Sequence, residues 1–151
     1  MALNIVLFAP EIPNNTGNIG RLSLATGSIL HLVKPFGFEL NDARLKRAGL
    51  DYWKHISVYQ YESIADFYSQ HLNAKMVYFS SNGAKSFWEI NFEDNLFLIF
   101  GRESDGLSPS ILQKNIHKTY QIPLFSKKIR SLNISNSVGI VVYEGLRQIK
   151  I

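Results

Sequence analysis

Three stretches of the chain place glycines and short polar side chains where ligand chemistry takes place in α/β proteins. They are residues 80–83, 101–106 and 125–136, and each follows a predicted strand. Ligands of open α/β sheets bind beyond the carboxyl ends of the strands, and glycine lets the backbone approach a ligand closely. Each stretch taken singly is also consistent with a tight turn. Together they favour a pocket, although they do not identify its ligand.

Two clusters of basic side chains add chemistry that suits phosphate groups. Their members are Arg44, Lys46 and Arg47 in the first cluster, and Lys127, Lys128 and Arg130 in the second. The second cluster lies in a predicted loop beside Ser131, Asn133, Ser135 and Asn136. Cations next to short hydrogen-bonding side chains suit contacts with phosphate and ribose. A solvated surface is the alternative for the cations, and helix capping is the alternative for Asn133 or Ser135.

Several common reaction classes lack their sequence signature. There is no G-x-x-x-x-G-K-[ST] segment and no G-x-G-x-x-G after the first strand, so ATPase and ordinary dinucleotide-binding functions lose their main support. No G-x-S-x-G segment indicates a serine hydrolase, and the four histidines lack zinc-protease spacing. Because the chain contains no cysteine, it has no disulfide, thiolate metal ligand or cysteine nucleophile. The formal net charge of +4 permits a phosphate-bearing partner.

The hydrophobic pattern predicts the elements that position these residues. Short apolar runs predict strands at residues 3–8, 29–33, 56–59, 76–79, 96–100 and 120–122. Helices are predicted from a cap at 14–16 to Gly27, over 41–48 with Asn41 or Asp42 as the cap, around Ile64, Phe67, Tyr68 and Leu72, after Ser108 and Pro109, and from Ile134 onward. This alternation indicates one α/β domain over residues 1–151 with a mainly parallel sheet. The apolar runs fall far short of the roughly 20 residues of a membrane helix, and no secretory signal is recognised, so we expect a soluble cytoplasmic protein.

Three segments, in order along the chain, resemble the motifs of one enzyme family. Residues 15–21 (NTGNIGR) are similar to N-x-G-N-x-x-R, and residues 100–107 (FGRESDGL) are similar to F-G-x-E-x-x-G-L. Residues 122–124 (IPL) and 130–138 (RSLNISNSV) resemble the third motif, with Leu124 where Met is common and Ile134 where Leu is common. The chain therefore resembles the SpoU branch of the SPOUT RNA methyltransferases. Segments 4–7, 10–13 and 47–52 resemble the subgroup that methylates the ribose 2′-hydroxyl of the tRNA wobble nucleotide, a cytidine or modified uridine.

This resemblance implies an α/β fold whose C-terminal segment is threaded into a deep trefoil knot. It also implies S-adenosylmethionine as the cofactor, held by the knot loops. The residues carried over as cofactor contacts are Phe79, Gly101, Ile122, Leu124, Ser131 and Leu132. An apolar slot with backbone donors and acceptors suits adenine, and the activated methyl donor requires neither a metal nor an enzyme nucleophile.

Arg21 is the residue that the resemblance makes catalytic. A guanidinium stays protonated in proteins and is a poor base, so we expect Arg21 to clamp a phosphate and to stabilise developing alkoxide charge, while the group that takes the hydroxyl proton is left open. Asn18 lies three residues earlier on the same helical face and is expected to orient Arg21. Further candidates for substrate or cofactor placement are Asn15, Glu103, Asn136 and Tyr143. The expected RNA contacts are Arg44, Arg47, Lys127, Lys128 and Arg130.

The resemblance also implies a homodimer that packs through the first and terminal helices and binds tRNA. Val138, Val141, Val142 and Ile149 form one apolar stripe on the terminal helix, and Ile140 and Leu146 lie off it. A helix that is apolar around much of its circumference must be covered on more than one side. A monomer with a central terminal helix is the alternative. Two other functions stay open: methylation at another RNA site, and RNA binding without catalysis on the same fold. A nucleotide-dependent oxidoreductase lacks its glycine fingerprint.

Overall fold

A parallel sheet runs through the middle of the molecule. The computed structural model describes residues 2–41 and 43–150, and within these ranges seven strands form one sheet. The strands are β1 (Asn4–Phe8), β2 (Ile29–Val33), β3 (Val58–Tyr61), β4 (Met76–Phe79), β5 (Lys85–Ser86), β6 (Phe97–Phe100) and β7 (Thr119–Gln121). Their order across the sheet is β3-β2-β1-β6-β4-β7-β5, and every neighbouring pair is parallel. The prediction of an α/β fold with a mainly parallel sheet is confirmed.

Helices cover both faces of this sheet. They are α1 (Pro13–Thr26), α2 (Ala43–Gly49), α3 (Ile64–Gln70), α4 (Pro109–Lys114) and α5 (Ile134–Lys150), with 3-10 turns at Leu50–His55, Phe87–Glu89 and Ile116–Lys118. Ile5 and Leu7 share one core cluster with Val138 of α5, while Val6 and Phe8 share the other with Phe67 of α3. Because successive side chains point to opposite faces, a strand covered on both sides is apolar throughout, as β1, β4 and β6 largely are.

The predicted bounds of the strands agree closely with the structure, whereas the predicted starts of the helices agree less well. Strands β2 and β4 have the predicted bounds, β1 and β6 begin one residue later than predicted, and β7 spans 119–121 instead of 120–122. Strand β3 begins at Val58, two residues after the predicted start, and the two-residue β5 was not predicted. Helix α2 begins at Ala43, so Asn41 precedes it, whereas Asp42 lies outside the described residues.

Two helix predictions are wrong at particular residues. Residues 14–16 do not cap α1, because Pro13 is already its first residue and Ile12 is the N-cap without a side-chain hydrogen bond. Proline suits this position because it has no N–H to leave unpaired. The end of α1 at Gly27 is confirmed, with φ of 67°. Leu72 does not belong to the buried face of α3, since the helix ends at Gln70 and Leu72 is 82% exposed.

The helix starts near the C-terminus are confirmed in detail. The Ser108 hydroxyl accepts a hydrogen bond from the backbone N–H of Ile111, 3.4 Å away, and Pro109 opens α4. The Asn133 side chain precedes α5, and its Oδ1 accepts from the backbone N–H groups of Ser135 at 2.8 Å and Asn136 at 3.4 Å. Capping by Asn133, left open above, is therefore one of its roles.

A chain of buried polar side chains crosses strands β1, β2 and β3. Asn4 Nδ2 donates to the carbonyl of Asn95 at 3.2 Å, which turns its Oδ1 toward His31 Nε2, 2.8 Å away. The other ring nitrogen of His31 lies 2.8 Å from the Tyr61 hydroxyl, which in turn lies 2.8 Å from His71 Nε2. Burial lowers the pKa of His31 to about 4 and raises that of Tyr61 to about 12, so both side chains are neutral near pH 7.

Candidate cofactor pocket and catalytic surface

One open cavity of about 1320 Å³ lies beyond the carboxyl ends of β1, β4, β6 and β7. Its walls come from all three stretches identified in the sequence, namely residues 80–82, 101–106 and part of 125–136. All six residues predicted to contact a cofactor line it: Phe79, Gly101, Ile122, Leu124, Ser131 and Leu132. The prediction that separate polar strand ends form one pocket is confirmed.

The loop after β6 folds back on itself and forms one wall. The N–H of Gly106 donates to the carbonyl of Arg102 at 2.9 Å, and Gly106 adopts φ of 67°. A Cβ atom at Gly101 would collide with the backbone of Gly106 and Leu107. Only glycine therefore fits at position 101, and it keeps the turn tight against the end of β6. Beside it, the rings of Phe79 and Phe100 stack at 4.7 Å between centroids.

The loop after β4 forms a second wall and is fastened to β7. The N–H of Ser80 donates to the carbonyl of Tyr120 at 3.0 Å, and the N–H of Gly83 donates to the carbonyl of Ser80 at 3.0 Å. The Ser80 hydroxyl also accepts from the N–H of Asn82 at 3.1 Å. Tyr120, Ile122 and Leu124 then continue along the cavity from β7. Apolar side chains and hydrogen-bonded loops thus alternate around the opening.

Glu103 joins the loop after β6 to the beginning of α1. Its Oε1 accepts from the N–H of Glu11 at 2.9 Å, and its Oε2 accepts from the N–H of Ile12 at 2.7 Å and from Asn15 Nδ2 at 3.2 Å. The first N–H groups of a helix lack partners within it and carry a partial positive charge, so a carboxylate is a favourable partner. Glu103 thus holds the N–H groups of the N-cap residue Ile12 and of Glu11 before it, directly ahead of the first helical residue.

Asn15 extends this connection to the beginning of α5. Its Oδ1 accepts from Asn133 Nδ2 at 3.1 Å, while its amide donates to Glu103. We call Glu103, Asn15 and Asn133 the carboxamide clasp. All three residues line the cavity. The clasp therefore links one residue from each of the three sequence motifs, and its side chains hold the pocket walls together.

A second carboxylate, Glu11, reinforces the same junction. Its Oε1 accepts from the backbone N–H of Ser104 at 2.8 Å and from the Ser104 hydroxyl at 2.7 Å. These hydrogen bonds, the backbone one first, keep the pKa of Glu11 below its usual value. Glu11 and the 103–104 segment thus exchange hydrogen bonds in both directions.

Four predicted catalytic residues lie outside the cavity lining. Arg21 and Asn18 are on the exposed face of α1, and Asn136 and Tyr143 are on the exposed face of α5. Asn136 and Tyr143 flank Gly139 on one helical face, and a Cβ at Gly139 would lie 3.9 Å from Leu22, the neighbour of Arg21. The structure thus divides the predicted site into a pocket, which includes Asn15 and Glu103, and a neighbouring helical surface.

Tyr52 contacts Arg21 and was missed by the sequence analysis. The guanidinium carbon of Arg21 lies 5.1 Å from the centre of the Tyr52 ring, a cation–π distance. Tyr52 belongs to the segment 47–52 quoted above, but no local spacing rule pairs residues so far apart in sequence.

The predicted RNA-binding residues are exposed on two separate segments. Arg44 and Arg47 lie on α2, whereas Lys127, Lys128 and Arg130 follow β7, and Arg130 lines the cavity. The side chain of Lys46 lies outside the described residues. Among the described ion pairs, none involves Lys127, Lys128 or Arg130.

Comparison with known proteins identifies the family. The model of the SpoU rRNA methylase family matches residues 2–143. The chain belongs to this family. It is 42% identical to the tRNA (cytidine(34)-2′-O)-methyltransferase of Saccharophagus degradans over 147 residues, which cover 97% of this chain and 95% of the relative.

Solved structures of the family share the fold. A structure that concerns the 2-OH methylation of C/U34 on tRNA superimposes with a TM-score of 0.93 at 41% identity and covers 97% of this chain and 95% of its own. The AdoMet-bound rRNA methyltransferase of Sinorhizobium meliloti superimposes with a TM-score of 0.84 at 23% identity and covers 96% of this chain and 56% of its own.

Two further features concern metal ions and membranes. Within residues 2–41 and 43–150, no group of three or more His, Cys, Asp and Glu side chains is arranged to hold a metal ion. None of the helices described there is both long and apolar enough to cross a bilayer.

Proposed function

We propose that this protein is an S-adenosylmethionine-dependent tRNA 2′-O-methyltransferase that acts on the wobble nucleotide, a cytidine or modified uridine. The observation that carries the proposal is the convergence of three separate motifs on one cavity, fastened by the carboxamide clasp. The names of relatives that match almost the full chain at about the same length support the substrate. We expect this enzyme to act in the cytoplasm, where its tRNA substrate is available.

The cavity fits the cofactor in size and chemistry. Ligand pockets typically enclose about 300–1,000 Å³, so an open cavity of about 1320 Å³ leaves room for a nucleotide beside a cofactor. Ile122, Leu124 and Leu132 provide apolar walls for an adenine, and the loops at Gly101 and Ser131 provide backbone polar groups. When bound, S-adenosylmethionine supplies an activated methyl group. Glu103, Asn15 and Asn133 act by holding the walls at their spacing.

Arg21 serves the ribose and phosphate side of the reaction in this proposal. A 2′-hydroxyl that loses its proton develops negative charge, and a permanently charged guanidinium stabilises it without acting as a base. Asn18, one turn earlier on α1, orients Arg21 or the substrate. Asn136 and Tyr143 border the same helical surface and complete it.

We infer that a second copy of the chain completes the site. Arg21 and Asn18 do not line the cavity of their own chain, so a partner that packs on α1 and α5 is needed to place them at it. Apolar side chains on these helices support such an interface: Ile140 is 41% exposed, Tyr143 56% and Leu24 36%. A two-fold axis brings α1 of each copy toward the pocket of the other.

Sedimentation equilibrium and mixed dimers test the shared site. We expect about twice the mass of one 17.2 kDa chain. Mixing an inactive Arg21→Ala chain with an inactive pocket variant should restore part of the activity, because one of the two sites then contains both intact halves. A monomer with full activity would contradict the shared site.

We also propose that the C-terminal segment is knotted. Strand β7 lies near one edge of the sheet, whereas α5 packs on α1 and on the middle of the sheet, so residues 122–133 run back across the cavity. Membership of the family supports threading of this return through a loop. A fully extended chain without a knot spans roughly 3.3–3.6 Å per residue. When the protein is pulled by its ends in optical tweezers, the unfolded chain should stay shorter than this length because the knot retains part of it. A chain that reaches full extension would contradict the knot.

Mapping the methylated nucleotide tests the main proposal. Purified protein, labelled S-adenosylmethionine and unmodified bulk tRNA should give a nuclease-resistant labelled dinucleotide that contains nucleotide 34. Label confined to ribosomal RNA would assign another substrate. Cofactor binding without transfer to any RNA would favour a non-catalytic RNA-binding protein.

A further inference from the structure

The most exposed large apolar side chain among the described residues belongs to the residue that follows Leu124, a lining residue of the cavity. Phe125 is 90% exposed, and its neighbour Leu124 lines the cavity wall. Ile129, four residues further on, is 52% exposed. A single exposed apolar side chain is common on protein surfaces and carries no function by itself. Phe125 differs from such isolated side chains because the loop around it is positively charged.

The loop that carries Phe125 is strongly and uniformly basic. Residues 122–133 contain Lys127, Lys128 and Arg130 and no acidic residue. As described above, none of these cations takes part in a described ion pair, and all three are exposed. The Ser126 hydroxyl accepts from the N–H of Lys128 at 3.2 Å, which turns the chain between the aromatic ring and the cations.

This combination fits one class of ligand, namely unpaired RNA. Proteins that bind single-stranded nucleic acids pair a cationic groove for the backbone with aromatic rings on which bases stack. A second copy of the chain is a poorer occupant for this loop, because the interface proposed above lies on α1 and α5 and the three cations of the loop would face a chain of net charge +4. An apolar partner protein would leave the three cations without counter-charges.

We propose that Phe125 stacks on an unpaired base of the RNA substrate next to the nucleotide that enters the cavity. Lys127 and Lys128 then contact the adjoining phosphates, and the stack fixes the register of the RNA on the enzyme. The inference rests on the proposed function, because it takes the anticodon loop as the RNA. It assigns Phe125 to substrate positioning and gives it no part in cofactor binding.

Variants at position 125 test the stack directly. Phe125→Ala should raise the KM for an anticodon stem-loop RNA by about 5- to 150-fold, the loss expected for one base–aromatic stack. Phe125→Tyr keeps an aromatic face and should restore KM, whereas Phe125→Leu keeps apolar volume alone and should resemble Phe125→Ala. Leu72→Ala removes another exposed apolar side chain, one that does not line the cavity, and is the matched control.

Two further readouts separate stacking from charge and from folding. The slope of log affinity against log salt should not change in Phe125→Ala, whereas Lys127→Gln should reduce it by about 0.7. A 2-aminopurine base beside nucleotide 34 should be quenched by the wild type and not by Phe125→Ala. The melting temperature of Phe125→Ala should equal that of the wild type because the ring is exposed.

The outcomes separate failure of this inference from failure of the proposed function. An inactive wild type would refute the function. An active wild type with unchanged KM in Phe125→Ala would refute the stack alone. Loss of S-adenosylmethionine affinity in Phe125→Ala would place the ring over the cofactor, and loss of the dimer in sedimentation would place it in a protein interface; either result overturns the proposal.

Discussion

The stability of the fold should fall with acidification in a window that His31 determines. The side chain is almost fully buried, donates through Nε2 to Asn4 and accepts through Nδ1 from the Tyr61 hydroxyl. Burial first, and the nearby His71 second, lower its pKa from 6.5 to about 4. His71, which follows Tyr61 in the chain of hydrogen bonds, has its own pKa lowered by burial. Protonation is therefore easier in the unfolded chain than in the folded protein.

The sign and the size of the effect follow from this difference. Above pH 6.5 the His31 side chain is neutral in both the folded and the unfolded protein, and below about pH 4 it is charged in both. The free energy of unfolding therefore decreases as the pH falls between these two values. At about 1.4 kcal/mol per pKa unit, the loss amounts to about 3 kcal/mol of the free energy of unfolding. His71 adds to the loss in the same direction. Total stabilities of single domains are about 5–15 kcal/mol, so this fraction is measurable.

Urea unfolding followed by circular dichroism between pH 7 and pH 4 measures the loss. His31→Gln should be less stable at pH 7 and should show a flatter pH dependence, because only His71 and the carboxylates then contribute to it. His117→Gln, which changes an exposed histidine, should retain the wild-type slope. A His31→Gln variant whose stability falls as steeply as that of the wild type would refute the reasoning.

Four further variants probe the site. Arg21→Ala should keep the fold and cofactor affinity but lower kcat and kcat/KM together, because its role arises in the transition state; equal loss of melting temperature and cofactor binding would make it structural. Gly101→Ala should abolish cofactor binding in calorimetry, because the new Cβ collides with the backbone of residue 106. Gly106→Ala has open space at its Cβ, so it should lower the free energy of unfolding by only about 1–2 kcal/mol, the strain of a left-handed alanine. Glu103→Gln keeps the shape of the side chain but replaces one carboxylate oxygen, an acceptor, by an amide NH2 group that faces other N–H donors. The affinity for S-adenosylmethionine should therefore fall several-fold in calorimetry. An unchanged affinity would show that the carboxamide clasp does not assemble the pocket.

Much of the fold is readable from local sequence because its signals are local. Strand β4 is a continuous apolar run, and Gly27 and Asn133 end and begin helices by chemistry that acts within a few residues. The start of α1 could not be predicted in this way. The N–H groups of Glu11 and Ile12, which directly precede this helix, are held by Glu103, about ninety residues further along the chain, and the polar residues at 14–16 indicated a cap that the structure does not use.

The pocket residues were accessible through motifs, and the contacts between them were not. The resemblance selects Asn15, Glu103 and the 122–132 segment separately, but the sequence carries no sign that Asn15 bonds to both Glu103 and Asn133. The Arg21–Tyr52 contact was missed for the same reason. The tertiary structure determines which of these residues contact one another, and their spacing along the chain does not reveal those contacts.

The carboxamide clasp also determines when the pocket comes into existence. Its two links join residues that are 88 and 118 positions apart, whereas the sheet order places β1 and β2 side by side as soon as both are made. Closing such long loops is entropically costly, and contacts of this separation form late. During synthesis on the ribosome, all seven strands are made before the binding site can be complete, because Asn133 follows Gln121, the last residue of β7. In the mature protein, local opening of the segment before α5 would dismantle the pocket while the sheet persists. Hydrogen exchange in this segment should therefore be faster than in β1 and should slow when a ligand fills the cavity.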